Sequence, residues 1–166
     1  MVYETFWLAI SYFGDVQFYL GLTAATLIFY QIISKEDKLK IDWIFISLLP
    51  SIIVSYLIVS LAKDFFQIPR PCSGQIDCPS DYSFPSGHAT AIAAFATIVS
   101  LETRKRRLYI FVVPISILVA LSRVFLNYHT FSDVAAGAVI GTLVALVFYR
   151  YYKPIHNFLE EKKIIS

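Results

Sequence analysis

Four long apolar stretches, Asp15–Ile33, Ile41–Ala62, Leu108–Phe125 and Phe131–Tyr151, set the first limit on what this 166-residue chain can become. Each meets or approaches the roughly 20 apolar residues that a helix needs to cross the hydrocarbon layer of a bilayer. A fifth, Ser86–Leu101, is shorter but carries no charge after His88. None alternates with period two, so a barrel is not expected. Only 16% of the residues are charged, against about 25% in soluble domains. The chain therefore reads as all-α, a polytopic membrane bundle of five transmembrane helices, with residues 1–166 forming one domain. The opening "MVYETFWLAISYFG" is too short to span. Its aromatic residues and single Glu4 suit a helix lying at the interface.

A net charge of +2 and the lack of a basic, aromatic-interleaved patch argue against nucleic acid as a partner. The first basic residue is Lys35, so no positively charged leader region is expected ahead of the apolar run. Pro50 and Pro114 fall inside spans and are expected to kink helices that their neighbours support. Gly137 and Gly141 form a GxxxG step, a weak sign of close helix packing.

The basic residues set the orientation. Lys35, Lys38 and Lys40 lie between the first two spans, and Arg104, Lys105, Arg106 and Arg107 between the third and fourth. Arg150, Lys153, Lys162 and Lys163 follow the fifth. With five spans all of these share one side, which the positive-inside rule assigns to the cytoplasm. The N-terminus is then expected outside and the C-terminus inside. The remaining Lys and Arg residues, Lys63, Arg70 and Arg123, fall at the opposite face.

A single cation at a helix end is ordinarily a snorkelling anchor, and an aspartate at a helix start is ordinarily a cap. Here the spacing matters more than any single residue. The chain contains Lys63 and, after six intervening residues, Arg70-Pro71, then Pro85-Ser86-Gly87-His88, then Ser122-Arg123, His129 and Asp133. This three-part pattern, spanning residues 63–133, resembles the signature of the type 2 phosphatidic acid phosphatase superfamily. That superfamily includes lipid phosphate phosphatases, soluble acid phosphatases and vanadate-dependent haloperoxidases. Many bacterial membrane members look six-spanning, whereas this chain is expected to begin at the interfacial helix before their second span.

The same residues make chemical sense without the resemblance. A phosphate terminus is multiply anionic, and Arg offers a planar fork for two oxygens while Lys offers a point charge. Ser86 and Gly87 open a helix whose free N–H groups and dipole favour anions. Glycine there would let the backbone approach a phosphate oxygen closely. His129 and Asp133 stand four residues apart, so on a helix they share a face, and the carboxylate can fix the imidazole tautomer. The resemblance implies that His129 is the nucleophile, transiently phosphorylated, and that Asp133 orients it. It also implies that His88 protonates the leaving oxygen and then activates water. Lys63, Arg70, Ser86, Gly87 and Arg123 would hold the phosphate.

No metal and no cofactor is expected. Two histidines and one aspartate could bind zinc, but three neighbouring cations would repel it. His156, in the basic tail, reads as a surface residue. Cys72 and Cys78, in the outer loop, could form a disulfide in an oxidising exterior, with two free thiols as the alternative. An external site at the membrane edge suits a lipid phosphate or diphosphate whose tail stays in the bilayer. A polyprenyl diphosphate carrier of the undecaprenyl or dolichyl type is the favoured substrate, with phosphatidic acid or phosphatidylglycerol phosphate as the alternative. A non-enzymatic lipid-binding or transport protein is the remote one.

Overall fold

The computed structural model describes residues 2–15, 17–19, 21, 44–76, 78–103 and 106–161. Most of the predicted span Asp15–Ile33 lies outside these residues, as do Lys35, Lys38, Lys40, Arg104, Lys105, Lys162 and Lys163. Among the described residues every regular element is helical. Helix α1 covers Val2–Tyr12, α2 Leu49–Phe66, α3 Gly87–Thr103, α4 Arg106–Phe125 and α5 Phe131–Glu161, and a π-helical turn, Ile44–Leu48, leads into α2.

Apolar surface is distributed as a lipid solvent would require. Leu57, Leu61, Ile110, Phe111, Leu143 and Val147 are all exposed although they belong to the bundle helices. Such a continuous apolar exterior is not seen on ordinary soluble domains. By length and composition the runs Ile44–Phe66 and Phe131–Phe158 can cross a membrane, and Gly87–Leu101 and Ile110–Phe125 are shorter apolar helices.

Helix α3 is the hub, packing on α2, α4 and α5. Its run of small residues explains why. Ala89 and Ala94 are fully buried and Ala91 nearly so, with Ile92 and Ile98 filling the space between them. Across from them stand Gly137 and Gly141 of α5. A Cβ on Gly137 would strike the Ser86 carbonyl oxygen, and one on Gly141 the Thr90 carbonyl oxygen. The weakly weighted GxxxG step thus marks a close backbone approach between these two helices. It has a functional consequence, because it brings the N-termini of α3 and α5 together, and Ser86 N–H donates to the Asp133 carbonyl at 3.0 Å.

Proline acts differently at its predicted positions. Pro50 sits in the first turn of α2, directly after the π-helical turn, where a missing N–H donor is tolerated. Helix α4 runs unbroken through Pro114, and α5 through Pro154. α5 also continues ten residues beyond the predicted end at Tyr151, so His156 lies on a helix, half-buried, with its ring 5.5 Å from that of Tyr152.

Candidate active site

Three chain breaks bring the signature to one end of the bundle, and each break has a local cause. Helix α2 stops at Gln67, which takes a left-handed conformation (φ 48°) and donates its N–H to the Lys63 carbonyl. The chain then turns through Arg70 into a loop closed by a disulfide between Cys72 and Cys78. Helix α3 begins under Ser86, whose hydroxyl accepts from Ala89 N–H at 3.4 Å while Thr90 Oγ1 donates to the Ser86 carbonyl. Helix α4 ends at left-handed Asn127 (φ 58°), and both Tyr128 and His129 donate their N–H groups to the Arg123 carbonyl. Arg123 and His129 are thereby tied by the backbone.

The start of α5 is a reciprocal cap. Asp133 N–H donates to Thr130 Oγ1 at 3.3 Å, and Thr130 N–H donates back to Asp133 Oδ2 at 2.8 Å. This capping box, with Asp in the usual Glu position, fixes the carboxylate. Oδ2 also accepts from the Ser83 hydroxyl and lies 3.5 Å from His129 Nδ1. Asp133 is therefore a helix cap and an imidazole neighbour at once.

A cavity of about 500 Å³ opens here, walled by Lys63, Arg70, Gly87, His88, Arg123 and His129. Asp133 stands behind His129, only 2% exposed. Ser86 is fully buried beneath the wall, with its hydroxyl engaged in capping α3. At Gly87 packing does not demand glycine, because a Cβ would come no nearer than 3.7 Å to Tyr56. Its missing side chain leaves room on the cavity side.

The imidazole of His129 is polarised from both ends. Arg70 Nη1 donates to Nε2 at 3.0 Å, so the ring proton belongs on Nδ1, facing Asp133. Burial lowers the His129 pKa, the charges of Arg70, Arg123 and Lys63 lower it further, and Asp133 opposes them only in part. The ring is neutral near pH 7, with a lone pair on the nitrogen that faces the cavity. Arg123 is 7% exposed. Its Nη1 donates to Ser11 Oγ, its guanidinium lies 4.8 Å from the Tyr128 ring centroid, and its Nε has no hydrogen-bond partner among the described residues. A buried N–H of a cation left open beside a cavity invites an anionic acceptor.

Several wall residues were not singled out by sequence reasoning. Asp81 pairs with both Lys63 and Arg70. Burial pushes its pKa up, but the hydrogen bonds and charges of those two cations outweigh this and hold it below the ordinary carboxylate value. Asp15 and Asp64 also reach the cavity. Helix α1 is a structural part of the site. Trp7 stacks on Phe125 at 4.5 Å, Ser11 reaches Arg123, and Gly14 lies against His88 and Val119. Nothing in one sequence marks these residues; the only hint is a serine and a glycine in an aromatic helix end. Among the described residues no group of three or more His, Cys, Asp or Glu side chains is placed to share a metal ion.

Comparison with known proteins places this geometry. The chain is 33% identical over 123 residues to sphingosine-1-phosphate phosphatase 1 of Rattus norvegicus, a match covering 68% of this chain and 28% of the relative. It is 28% identical to undecaprenyl-diphosphatase of Sulfolobus acidocaldarius, covering 83% of this chain and 65% of that protein. The chain thus spans less than two thirds of the length of these relatives. A solved structure, the transmembrane PAP2 type phosphatidylglycerolphosphate phosphatase of Bacillus subtilis, superposes with a TM-score of 0.72 at 25% identity. That match covers 92% of this chain and 77% of the other. Residues 44–156 match the PAP2 superfamily. That segment runs from the π-helical turn deep into α5 and carries every residue of the three-part signature, and the chain belongs to this superfamily.

Proposed function

We propose that this chain is an integral-membrane lipid phosphatase that removes the terminal phosphate of a polyprenyl diphosphate carrier through a phosphohistidine. The observation that carries the reading is the single cavity wall on which Lys63, Arg70 and Arg123 surround a neutral His129 backed by Asp133. The three cations receive the phosphoryl oxygens, with Arg123 Nε supplying an open donor. His129 Nε2 attacks phosphorus, and the bond from phosphorus to the leaving oxygen breaks. His88 gives that oxygen a proton. It then takes one from water, whose oxygen attacks the phosphohistidine and releases inorganic phosphate. Gly87 N–H, at the start of α3, adds a dipole that favours the anion. Positioning and charge suffice for this chemistry, and no step calls on a metal.

In this reading α2 to α5 and the 15–33 stretch are five transmembrane helices, α1 lies at the interface, and residues 1–166 form one domain. The N-terminus and the cavity face outside. The disulfide in the loop beside Arg70 supports that side, since such bonds persist in oxidising compartments. The similarity to an undecaprenyl-diphosphatase over most of this chain supports the polyprenyl substrate. The similarity to a phosphatidylglycerolphosphate phosphatase structure supports a second reading, in which the substrate is a glycerophospholipid monophosphate.

The test is a panel in detergent with EDTA present. Polyprenyl diphosphate is expected to release phosphate faster than phosphatidic acid or phosphatidylglycerol phosphate. The reverse order establishes the second reading. Loss of all turnover on chelation removes the metal-free mechanism.

A further inference from the structure

Lys63 and Arg70 already hold an anion, and it belongs to the chain itself. Asp81 Oδ1 accepts from Arg70 Nη2 at 2.6 Å, and Oδ2 accepts from Lys63 Nζ. A guanidinium fork and an ammonium receive carboxylate and phosphoryl oxygens alike, so these are positions that a bound phosphate would need. The Lys63 and Arg70 side chains are 12% and 5% exposed, whereas that of Asp81 is 55% exposed. The carboxylate can turn into water; the cations cannot follow it.

Neither cation depends on that carboxylate for its place. The Tyr82 carbonyl accepts from Lys63, the Asp81 carbonyl from Arg70 Nε at 2.9 Å, and the Tyr128 carbonyl from Arg70 Nη1 at 3.0 Å. The backbone that offers the first two is itself pinned, since Ser83 N–H donates to the Ile68 carbonyl at 2.8 Å. All of these acceptors remain when the Asp81 side chain leaves.

We propose that Asp81 is an intramolecular competitor for the phosphate subsite, occupying Lys63 and Arg70 until a phosphoryl group displaces it, and returning as phosphate departs. This rests on the phosphatase reading and specifies how tightly that site holds its ligand. Apparent affinity falls by the fraction of time the subsite stands open, and the same factor applies to every anion. The singly charged phosphodiester headgroups of bulk lipid, being weaker ligands, are thereby held at low occupancy. A terminal phosphate, with its higher charge, still enters.

The experiment titrates full-length protein in detergent with inorganic phosphate by calorimetry, alongside turnover of a lipid phosphate. Asp81→Asn and Asp81→Ser are expected to bind phosphate about tenfold more tightly than the unaltered protein, because a like charge has left the subsite. Asp81→Glu, which keeps the charge, is expected to stay close to the unaltered protein. Asn and Ser variants that bind phosphate no more tightly, or more weakly, overturn the competitor and leave Asp81 a positioning residue. Tighter binding in these variants without lipid phosphate turnover by the unaltered protein supports the competitor and overturns the phosphatase reading. Absence of phosphate binding to every form overturns the competitor, and absence of turnover as well overturns both.

Discussion

Arg70 Nη1 donates to His129 Nε2 across 3.0 Å, so a cation rests on the nitrogen proposed to attack phosphorus. The contact assigns the tautomer, keeps the ring unprotonated, and breaks usefully when phosphate arrives. Arg70 can turn its hydrogen to a phosphoryl oxygen and still keep the Tyr128 carbonyl as an acceptor.

A pH dependence follows from the sign of that arrangement. The His129 pKa lies below its ordinary 6.5, so the neutral nucleophile persists as pH falls through that value. The acid limb of kcat/KM, which reports the free enzyme, is expected below pH 6.5. Rates on a short-chain phosphomonoester between about pH 5 and 8 check this. An acid limb at or above the ordinary value contradicts it.

His129→Ala is expected to abolish turnover. Asp133→Asn should leave the ring in place but lose its orienting partner, lowering kcat by about 10³–10⁴-fold, as tautomer loss does in hydrolytic triads. Because Asp133 also caps α5 through Thr130, the same variant should lose about 1 kcal/mol of stability. Thermal unfolding in detergent separates the two effects.

Helix α1 should matter to catalysis although it precedes the segment matched to the superfamily. Ser11→Ala removes a buried hydrogen-bond partner of Arg123, at a cost of about 1–3 kcal/mol, and is expected to raise KM. At Gly14 a Cβ would stand 2.8 Å from Val119 Cγ1 and 3.0 Å from the His88 ring. Gly14→Ala should therefore displace the proposed acid and lower kcat. A kcat equal to that of the unaltered protein would show that His88 has room to yield.

Gly141→Ala forces a methyl group against the Thr90 carbonyl. The neighbour is backbone and cannot rotate away. Overpacking of this kind costs about 1–3 kcal/mol, and because it separates α5 from α3, turnover should fall along with the unfolding temperature.

What one sequence could disclose followed from how unusual each residue was in its setting. Lys63, Arg70 and Arg123 stood out because they fall apart from the other basic residues and in register with Pro85-Ser86-Gly87-His88, and His129 and Asp133 because their spacing fits one helix face. Asp81 and Ser11 did not stand out, since an aspartate in a loop and a serine near a helix end are ordinary. Their partners lie 18 and 112 residues away, and only the packing pairs them. The glycines of α5 were visible but underweighted, because the carbonyls they approach belong to a different helix. Ser86 was read as opening a helix toward the phosphate, whereas the structure buries its side chain and spends the hydroxyl on capping α3. Pro50 was read as a kink, whereas the backbone had already changed pitch before it.

The Ser11–Arg123 bond also constrains the order in which the protein can be made. Its partners leave the ribosome more than a hundred residues apart, and chains emerge from the N-terminus at about 5–20 residues per second. For several seconds α1 has no arginine to hold, and Lys63 and Arg70 can meet Asp81 before any nucleophile exists. An arrested nascent chain would present an anion trap without chemistry, and hydrolysis could begin only once the last helix had docked.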